Sequence, residues 1–398
     1  MNDHPMAARS VAGRVRLGAA GLGTAGRAFL PAIAGHSGFE LVAVADPSDE
    51  ARAEVAGTLG VTGYRTLQEL LAHPALDAVY VGTPTDMHPT HVAQAFAARK
   101  HVLVEKPMAV SITQAQAMID GAAEAGTVLL VGHSHSYDLP IRRMRELIAG
   151  GSLGRVRMVN TWNFTDWIYR PRRPDELDIH QGGGVTYRQG SHQFDIIRLL
   201  GGGMVRSVRA KTFDWDPARS SIGAHTVYLE FEDGAAATAV YNGYGSFASA
   251  ELCFDVTEWG FHEPPESRKR PRRPRAGSTP EDELAAKRAR SKNAIPAAAP
   301  NQPFFGLTLV SCERGDIRQS PQGLFTYTEQ GRTEIELPRD RTPRDLVMAE
   351  FFDAITGKAP ALHDGRWGLA NLEVCTAAIE SSASGREVYL KHQVPVPA

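Results

Sequence analysis

The sequence predicts an α/β protein in which an N-terminal doubly wound parallel sheet is followed by a second α/β domain with a large, mostly antiparallel open sheet. Two observations predict this fold class. Up to about residue 134, short Val- and Leu-rich runs alternate with helical stretches, which is typical of parallel strands buried on both faces. Beyond that point, runs of alternating polar and apolar residues indicate antiparallel strands with one exposed face.

The individual elements follow in order from these patterns. In the first domain we predict strands at 15–21, 39–46, 76–82, 101–106 and 126–132, and helices at 25–35, 49–59, 88–99 and 112–125. In the second we predict helices at 139–149, within 182–203, at 343–356 and at 365–384, and strands at 156–164, 204–213, 225–234, 235–244 and 250–259. The expected domains are a flexible tail at 1–13, a first domain at 14–134 and a substrate and oligomerisation domain at 135–398.

Residues 261–303 interrupt the second domain with ten Lys and Arg against five Asp and Glu, among several prolines. This composition does not pack a core, so we predict a mobile surface insertion. Its stretch RKRPRRPR is alternatively a patch for polyanions. The formal net charge of −2 gives the whole chain no case for a nucleic-acid partner.

Composition also bears on the compartment. The three cysteines are widely spaced, which predicts a cytoplasmic protein without a disulfide framework. The N-terminal residues contain no apolar core, and no run of 18 apolar residues occurs. We therefore expect neither a signal peptide nor a membrane-spanning helix.

The stretch GLGTAG at 21–26 predicts a Rossmann-type dinucleotide site, because it follows a strand and begins a helix. Gly21 permits the tight turn, Gly23 lets the backbone approach a pyrophosphate, and Gly26 lets helix and strand pack closely. The N–H groups at the helix N-terminus, around Thr24 and Ala25, would face the phosphates.

Asp46 follows the second strand, 20 residues after Gly26. A carboxylate at this position accepts hydrogen bonds from the adenosine ribose and repels a 2′-phosphate. The sequence therefore favours NAD over NADP as the cofactor, although Arg52 could turn toward a phosphate.

Glu105-Lys106-Pro107 lies at the end of the strand predicted at 101–106. Ligands of open α/β sheets bind outside the carboxyl ends of the strands, so Lys106 is placed for proton transfer or for polarising a hydroxyl. The alternative is an ordinary surface lysine at a strand end.

A second candidate site lies in GGGVTYRQGSHQFDIIRLLGGG, residues 182–203. Spacings of four and three residues place Arg188, His192 and Asp195 on one face of the predicted helix. His133 and His135 follow the last strand of the first domain and are expected near the same mouth. A His-x-His pair can bind zinc, but no third ligand lies at a spacing typical of a zinc site, so no metal is predicted.

Taken together, GLGTAG, Asp46, the segment 81–107 ending in VEKP, and GGGVTYRQGSHQFD resemble the glucose–fructose oxidoreductase/inositol dehydrogenase (Gfo/Idh/MocA) family. The resemblance covers nearly the whole chain from Arg14. It implies a Rossmann domain, a second domain with a large open sheet, and homodimers or homotetramers formed by packing those sheets. It also implies Lys106 and His192 as the catalytic pair. The residues that it implies along the nicotinamide are Thr83, Pro84, His88 and Glu105.

One position departs from the family pattern, which has an aspartate four residues before the histidine where this chain has Arg188. Arginine is a planar clamp for anions, so we predict an anionic small-molecule substrate that carries a hydroxyl. The alternative is that Arg188 pairs with Asp195 or Glu105. The further candidate ligands of the substrate are Arg170, Arg172, Arg173, His133 and His135.

Stretches such as GHSHSYD, YRPRRPDELD and LHDGRWGLANLEVC resemble a branch of the family that oxidises phthalate cis-dihydrodiols, which are cyclohexadiene diols with two adjacent carboxylates. In the implied reaction His192 takes the hydroxyl proton, Lys106 polarises the same oxygen and can exchange roles with it, and Asp195 orients the imidazole. Two other interpretations stay open. One is a dehydrogenase of a sugar, sugar acid or inositol, and the other is an NAD-binding regulator without turnover.

Overall fold

The computed structural model describes residues 13–268, 279–292 and 299–397, which fall into two compact units. The first unit consists mainly of the described residues up to Gly132 and of Arg344–Leu369. The second consists of the described parts of His133–Ala289, Pro296–Pro343 and Ala370–Ala398. Residues 1–12 of the predicted tail lie outside the described residues.

The first unit is built on a parallel sheet. Its strands among the described residues are β1 (Val15–Ala20), β2 (Phe39–Ala45), β3 (Thr62–Tyr64), β4 (Ala78–Val81), β5 (His101–Glu105) and β6 (Leu129–Gly132). They lie in the order β3-β2-β1-β4-β5-β6, and each neighbouring pair is parallel. The predicted doubly wound sheet is thereby confirmed. β3 escaped prediction because it has three residues and none of them is buried.

Helices alternate with these strands, as the sequence predicts. They are α1 (Thr24–Gly35), α2 (Asp49–Leu59), α3 (Leu67–Leu71), α4 (His88–Ala97) and α5 (Ile112–Ala125). The five residues of α3 are too few to show a helical period. α1 packs against the sheet, where the ring of Phe29 lies 4.9 Å from that of Tyr80.

The second unit contains a larger, mixed sheet. Its strands among the described residues are β7 (Val156–Phe164), β8 (Val205–Phe213), β9 (Ala224–Phe231), β10 (Ala236–Asn242), β11 (Leu307–Cys312), β12 (Gly315–Gln319), β13 (Gly323–Thr328), β14 (Gly331–Glu336) and β15 (Val388–Tyr389). The order is β14-β13-β12-β11-β7-β10-β9-β8-β15. Only β10 and β7 are parallel among these neighbours, so the prediction of a mostly antiparallel sheet is confirmed.

Helices cover one face of this sheet. The remaining helices of the described residues are α6 (Leu139–Ala149), α7 (Gly184–Arg188), α8 (Gly190–Gly201), α9 (Pro280–Lys292), α10 (Pro343–Thr356) and α11 (Gly365–Ser384). α8 lies on β7 and β10 and is buried from Gly190 to Leu200. On the other face, Met158, Trp162 and Tyr228 are between two-fifths and half exposed.

Two assignments to the second domain need correction. Arg344–Leu369 clusters with the first unit, although the sequence assigned all of 135–398 to the second domain. The physical reason is aromatic packing, because the ring of Phe351 stacks on that of Phe39 at 5.8 Å. The predicted strand at 250–259 is also wrong. Its buried residues Cys253 and Val256 are three apart, which does not fit a strand, and a 3₁₀ helix at Ser249–Leu252 begins the segment instead.

The basic insertion at 261–303 is not uniformly without structure. Pro280–Lys292 forms helix α9, where the sequence predicted a mobile surface insertion. Residues 269–275 of the stretch RKRPRRPR lie outside the described residues. None of the described helices is both long enough and apolar enough to cross a bilayer.

Candidate active site

The glycine loop of the first unit has the stereochemistry that the sequence predicts. Gly21 has φ +91°, and a Cβ there would lie 2.5 Å from the carbonyl oxygen of Gly82. A Cβ on Gly26 would lie 1.8 Å from the carbonyl oxygen of Gly21, whereas a Cβ on Gly23 would meet no atom within 4 Å. The outer glycines are therefore required by packing, and Gly23 leaves an open approach to the backbone.

This open approach fits a pyrophosphate. Gly23, Thr24 and Ala25 are exposed at the N-terminus of α1, and no side chain caps this terminus. Its free N–H groups and the positive end of the helix dipole favour an anion. These residues are thus able to hold the phosphates of a dinucleotide.

Asp46 is held in place beside the glycine loop. Its Oδ2 accepts a hydrogen bond from the Leu22 amide at 2.7 Å, and its Oδ1 accepts one from the Ser48 amide at 2.8 Å. Arg52, the alternative ligand for a 2′-phosphate, donates instead to the Asp46 carbonyl at 2.7 Å and pairs with Asp49. The carboxylate is thereby fixed at the end of β2.

The predicted nicotinamide residues lie at the carboxyl ends of β4 and β5. Glu105 accepts a hydrogen bond from the Tyr80 hydroxyl at 3.0 Å and one from the backbone amide of Lys106 at 3.2 Å. Thr83 Oγ1 lies 2.9 Å from Nδ1 of His91. Lys106 and Pro84 are partly exposed at the same edge.

His88 is buried beside the chain segments that follow β4 and β5. It is 1% exposed, and its Nδ1 and Nε2 each lie 2.9 Å from a backbone carbonyl, that of Pro107 and that of Thr83. The structure thus shows a histidine that ties together the segments after β4 and β5. Sequence reasoning could not see this function, because the two carbonyls are 24 residues apart.

In the second unit, the predicted single helix within 182–203 is divided. Arg188 ends α7 and His192 lies in α8, with Gln189 between the two helices at φ −114°. The break is small, because the amide of His192 still donates to the Gln189 carbonyl at 3.0 Å. Asp195 follows on α8 and is fully buried.

His192 belongs to an imidazole cluster that it forms with His135 and Phe305. The His135 ring lies 4.7 Å from the His192 ring and stacks on Phe305 at 4.3 Å. Nδ1 of His135 lies 3.2 Å from Asp138 Oδ2, and its Nε2 lies 3.5 Å from Glu258 Oε1. Burial opposes a charge on His135, but Asp138 and then Glu258 outweigh burial and raise its pKa to about 9. A charged imidazolium therefore lies beside His192 at neutral pH.

A second buried histidine, His133, lies close to Asp195. His133 is 2% exposed, and its Nδ1 lies 3.9 Å from Asp195 Oδ2. The sequence expected Asp195 to orient His192 and expected His133 at the substrate. The structure thus places these two buried residues side by side, and the orientation of His192 by Asp195 stays a prediction.

Each arginine of the loop 166–178 contacts a neighbouring side chain of the same loop. Arg170 pairs with Asp166 at 2.7 Å, and Arg173 pairs with Asp175 at 2.8 Å. Arg172 lies over the Trp167 ring, with its guanidinium carbon 4.0 Å from the ring centroid. These contacts hold the loop itself, which the sequence did not predict.

Arg188 contributes to a second group, the Glu176 cluster, which we define as Glu176, Arg172, Arg188 and Lys287. Glu176 is 2% exposed and lies 3.1 Å from Arg188 and 3.7 Å from Arg172, and it forms a hydrogen bond with Lys287. Burial alone would raise the pKa of Glu176, but Arg188, Lys287 and Arg172 hold it far below its usual range. Glu176 was not among the partners that the sequence suggested for Arg188.

Five residues of these groups were not predicted from the sequence: Asp138, Glu176, Glu258, Lys287 and Phe305. Glu176 lies in the stretch YRPRRPDELD, in which the sequence predicted only the arginines as site residues. Glu258 and Phe305 gave no local signal. Among the described residues, no group of three or more His, Cys, Asp or Glu side chains could hold a metal ion.

Comparison with known proteins gives a family match within each of the two units. Residues 15–133 match the family model described as the oxidoreductase family, NAD-binding Rossmann fold, and residues 141–258 match the Gfo/Idh/MocA C-terminal domain. A dehydrogenase of 1-carboxy-3-chloro-3,4-dihydroxycyclohexa-1,5-diene from Comamonas testosteroni is 38% identical, over 92% of this chain and 94% of that protein.

Solved structures share the fold. A crystal structure of a protein from Bordetella bronchiseptica RB50 has a TM-score of 0.86 and 39% identity, covering 95% of this chain and all of that one. The WlbA dehydrogenase from Bordetella pertussis, in complex with NADH and UDP-GlcNAcA, has a TM-score of 0.69 at 21% identity, covering 95% of this chain and 99% of that one. The chain belongs to the Gfo/Idh/MocA family of oxidoreductases and carries that family's NAD-binding Rossmann domain.

Proposed function

We propose that the protein is an NAD-dependent dehydrogenase of a carboxylated cis-dihydrodiol, with phthalate 4,5-cis-dihydrodiol as the first candidate substrate and 4,5-dihydroxyphthalate as its product. The observation that carries this proposal is the Glu176 cluster, in which three cations surround one carboxylate. A substrate carboxylate would find net positive charge there, on a chain segment that leads directly into His192. The similarity to a dehydrogenase of a carboxylated diol points the same way.

Each residue is given a role that suits its surroundings. NAD bound at the glycine loop would supply the hydride acceptor. His192 takes the proton of the substrate hydroxyl as general base, and Lys106 is the second candidate for handling that proton. Arg188 holds a carboxylate and so fixes the orientation of the carbinol carbon. The resulting ketone tautomerises to a catechol, and aromatisation makes the oxidation favourable.

The test is a substrate panel that contains phthalate 4,5-cis-dihydrodiol, benzene cis-1,2-dihydrodiol and myo-inositol, each with NAD and with NADP. NADH formation is followed by absorbance at steady state. We expect turnover of the carboxylated diol with NAD. Turnover of inositol alone would overturn the proposal, and NADH binding without any turnover would favour a regulator.

Arg188→Ala tests the anion clamp within the same assay. Loss of a charged hydrogen bond costs about 1.5–3 kcal/mol, so KM for the carboxylated diol should rise by about 10- to 100-fold. Arg206→Ala is the matched control, because Arg206 pairs with Glu230 on an exposed part of the sheet. Unchanged KM in Arg188→Ala would contradict the clamp.

We also propose that the chain forms a homodimer or homotetramer through the uncovered face of its larger sheet. Met158 and Trp162 on β7 and Tyr228 on β9 present exposed apolar surface on one face. Such a patch is typical of a protein–protein interface. Trp162→Glu should shift the mass measured by light scattering to that of a monomer, whereas a monomeric unmodified protein would refute the proposal.

A further inference from the structure

Helix α9 is an ordered part of the basic insertion. Thr279 and Asp282 cap its N-terminus, since the Thr279 amide donates to Asp282 Oδ2 at 3.0 Å and the Asp282 amide donates to Thr279 Oγ1 at 3.2 Å. Three acidic residues in its first turn suit the positive end of the helix dipole. The helix therefore has its own start signal and does not depend on the flanking segments for it.

Glu283 attaches α9 to the loop that carries the arginines. Its carboxylate accepts a hydrogen bond from the backbone amide of Arg172 at 2.7 Å and pairs with Arg219 at 2.6 Å. Arg219 donates in turn to the carbonyls of Ile168 at 2.9 Å and Arg170 at 3.0 Å. The insertion thus holds the backbone of this loop directly at Arg172 and, through Arg219, at Ile168 and Arg170.

Lys287 lies one turn after Glu283 on the same face of α9 and reaches Glu176. Its side chain is 17% exposed, so its charge lies largely inside the protein. Glu176 would otherwise be shared between Arg188 and Arg172 alone. With Lys287 present, three cations surround the Glu176 carboxylate, so the cluster carries positive charge in excess even though Glu283 also interacts with Arg172.

We propose that Lys287 is a specificity-determining residue of this dehydrogenase. Its ammonium group neutralises part of the charge of the Glu176 carboxylate, so the Arg188 guanidinium keeps the positive charge needed to bind a substrate carboxylate. The inference rests on the proposed function. It adds that the insertion at 261–303 supplies one of the positive charges near the substrate, that of Lys287. Lys287 acts through Glu176 and Arg188 and is therefore a positioning residue. The insertion then selects for carboxylated diols over uncharged ones.

The experiment compares the full-length protein with Lys287→Met, Lys287→Arg and Arg288→Met, using phthalate 4,5-cis-dihydrodiol with NAD. Lys287→Met should raise KM about tenfold with kcat unchanged, and Lys287→Arg should restore KM to within about twofold. Arg288 is exposed on the same helix, so Arg288→Met should leave both constants unchanged. Thermal melting of each variant shows whether the fold is intact.

The outcomes separate this inference from the proposed function. No turnover of the carboxylated diol by the unmodified protein would refute the proposed function and the inference together. Turnover with an unchanged KM in Lys287→Met would refute the inference alone. A fall in kcat that Lys287→Arg does not restore would assign Lys287 a purely structural role and would also overturn the inference.

Discussion

The glycine loop of the first unit and the Glu176 cluster of the second are both candidate sites for anions, but they are built in different ways. The glycine loop uses backbone amides and three glycines within six consecutive residues, 21–26. The Glu176 cluster uses charged side chains from three segments, and the Lys287–Glu176 pair spans 111 residues. Gly21 and Gly26 leave no room for an added Cβ, whereas the cluster depends on a balance of charges.

This difference separates what each site can recognise. A backbone site binds the phosphates that all dinucleotides share. A cluster of side chains can change its net charge through one substitution, so it can select among substrates while the fold stays the same. The following predictions test whether the two sites differ in this way.

The largest effect is expected from Gly26→Ala. The added Cβ would lie 1.8 Å from the Gly21 carbonyl oxygen, so the turn must open. We expect a loss of about 4 kcal/mol in the free energy of unfolding and no measurable NADH binding by fluorescence titration. Gly57→Ala in α2 is the control, because a Cβ there meets nothing within 4 Å and should leave stability unchanged or slightly higher. Normal NADH affinity in Gly26→Ala would contradict the backbone account of this site.

Glu176→Gln should have the next largest effect, of about 3 kcal/mol in the free energy of unfolding, because buried cations lose their counter-charge. KM for the carboxylated diol should not rise, since the change removes a competitor for Arg188. Urea denaturation and steady-state kinetics measure the two quantities. Glu380→Gln, on an exposed position of α11, should change neither. A KM that rises in parallel with the loss of stability would show that the cluster acts only as a scaffold.

The sequence predicts the first unit well because its signals are local. The glycine loop, Asp46 and Lys106 all lie next to strand ends that the Val- and Leu-rich runs mark. The contacts that join α9 to the second unit were not predictable in this way, since the pair between Arg219 and Glu283 joins residues 64 apart. Helix α9 could have been predicted from the sequence, because Thr279-Pro280 followed by three acidic residues is a helix-start signal. The surrounding basic and proline-rich composition obscured it.

The imidazole cluster gives a smaller, pH-dependent effect. His135 has a pKa of about 9 in the folded protein against 6.5 ordinarily, so its contribution to stability is complete below pH 6.5 and lost as the pH rises through 9. We expect the free energy of unfolding of the unmodified protein to fall by about 2 to 3 kcal/mol relative to His135→Gln across this range.

Subtracting the two curves isolates His135. Lys287, whose pKa is lowered to about 8 by burial against the opposing pull of Glu176, titrates with the opposite sign, but it does so in both proteins. Parallel curves for His135→Gln and the unmodified protein between pH 6.5 and 9 would show that His135 carries no extra proton.

The smallest effect is expected from a substitution at Asp46. This residue combines features of both kinds of site, because its charged side chain is held by backbone amides. Asp46→Asn keeps the shape but loses the charge and one of the hydrogen bonds from Leu22 and Ser48. The ratio of kcat/KM with NAD to that with NADP should fall about tenfold, or about 1.4 kcal/mol, because the repulsion of a 2′-phosphate disappears. Glu40→Gln, at the exposed start of the same strand, should leave the ratio unchanged. An unchanged ratio in Asp46→Asn would mean that cofactor choice, like phosphate binding, depends on the backbone alone.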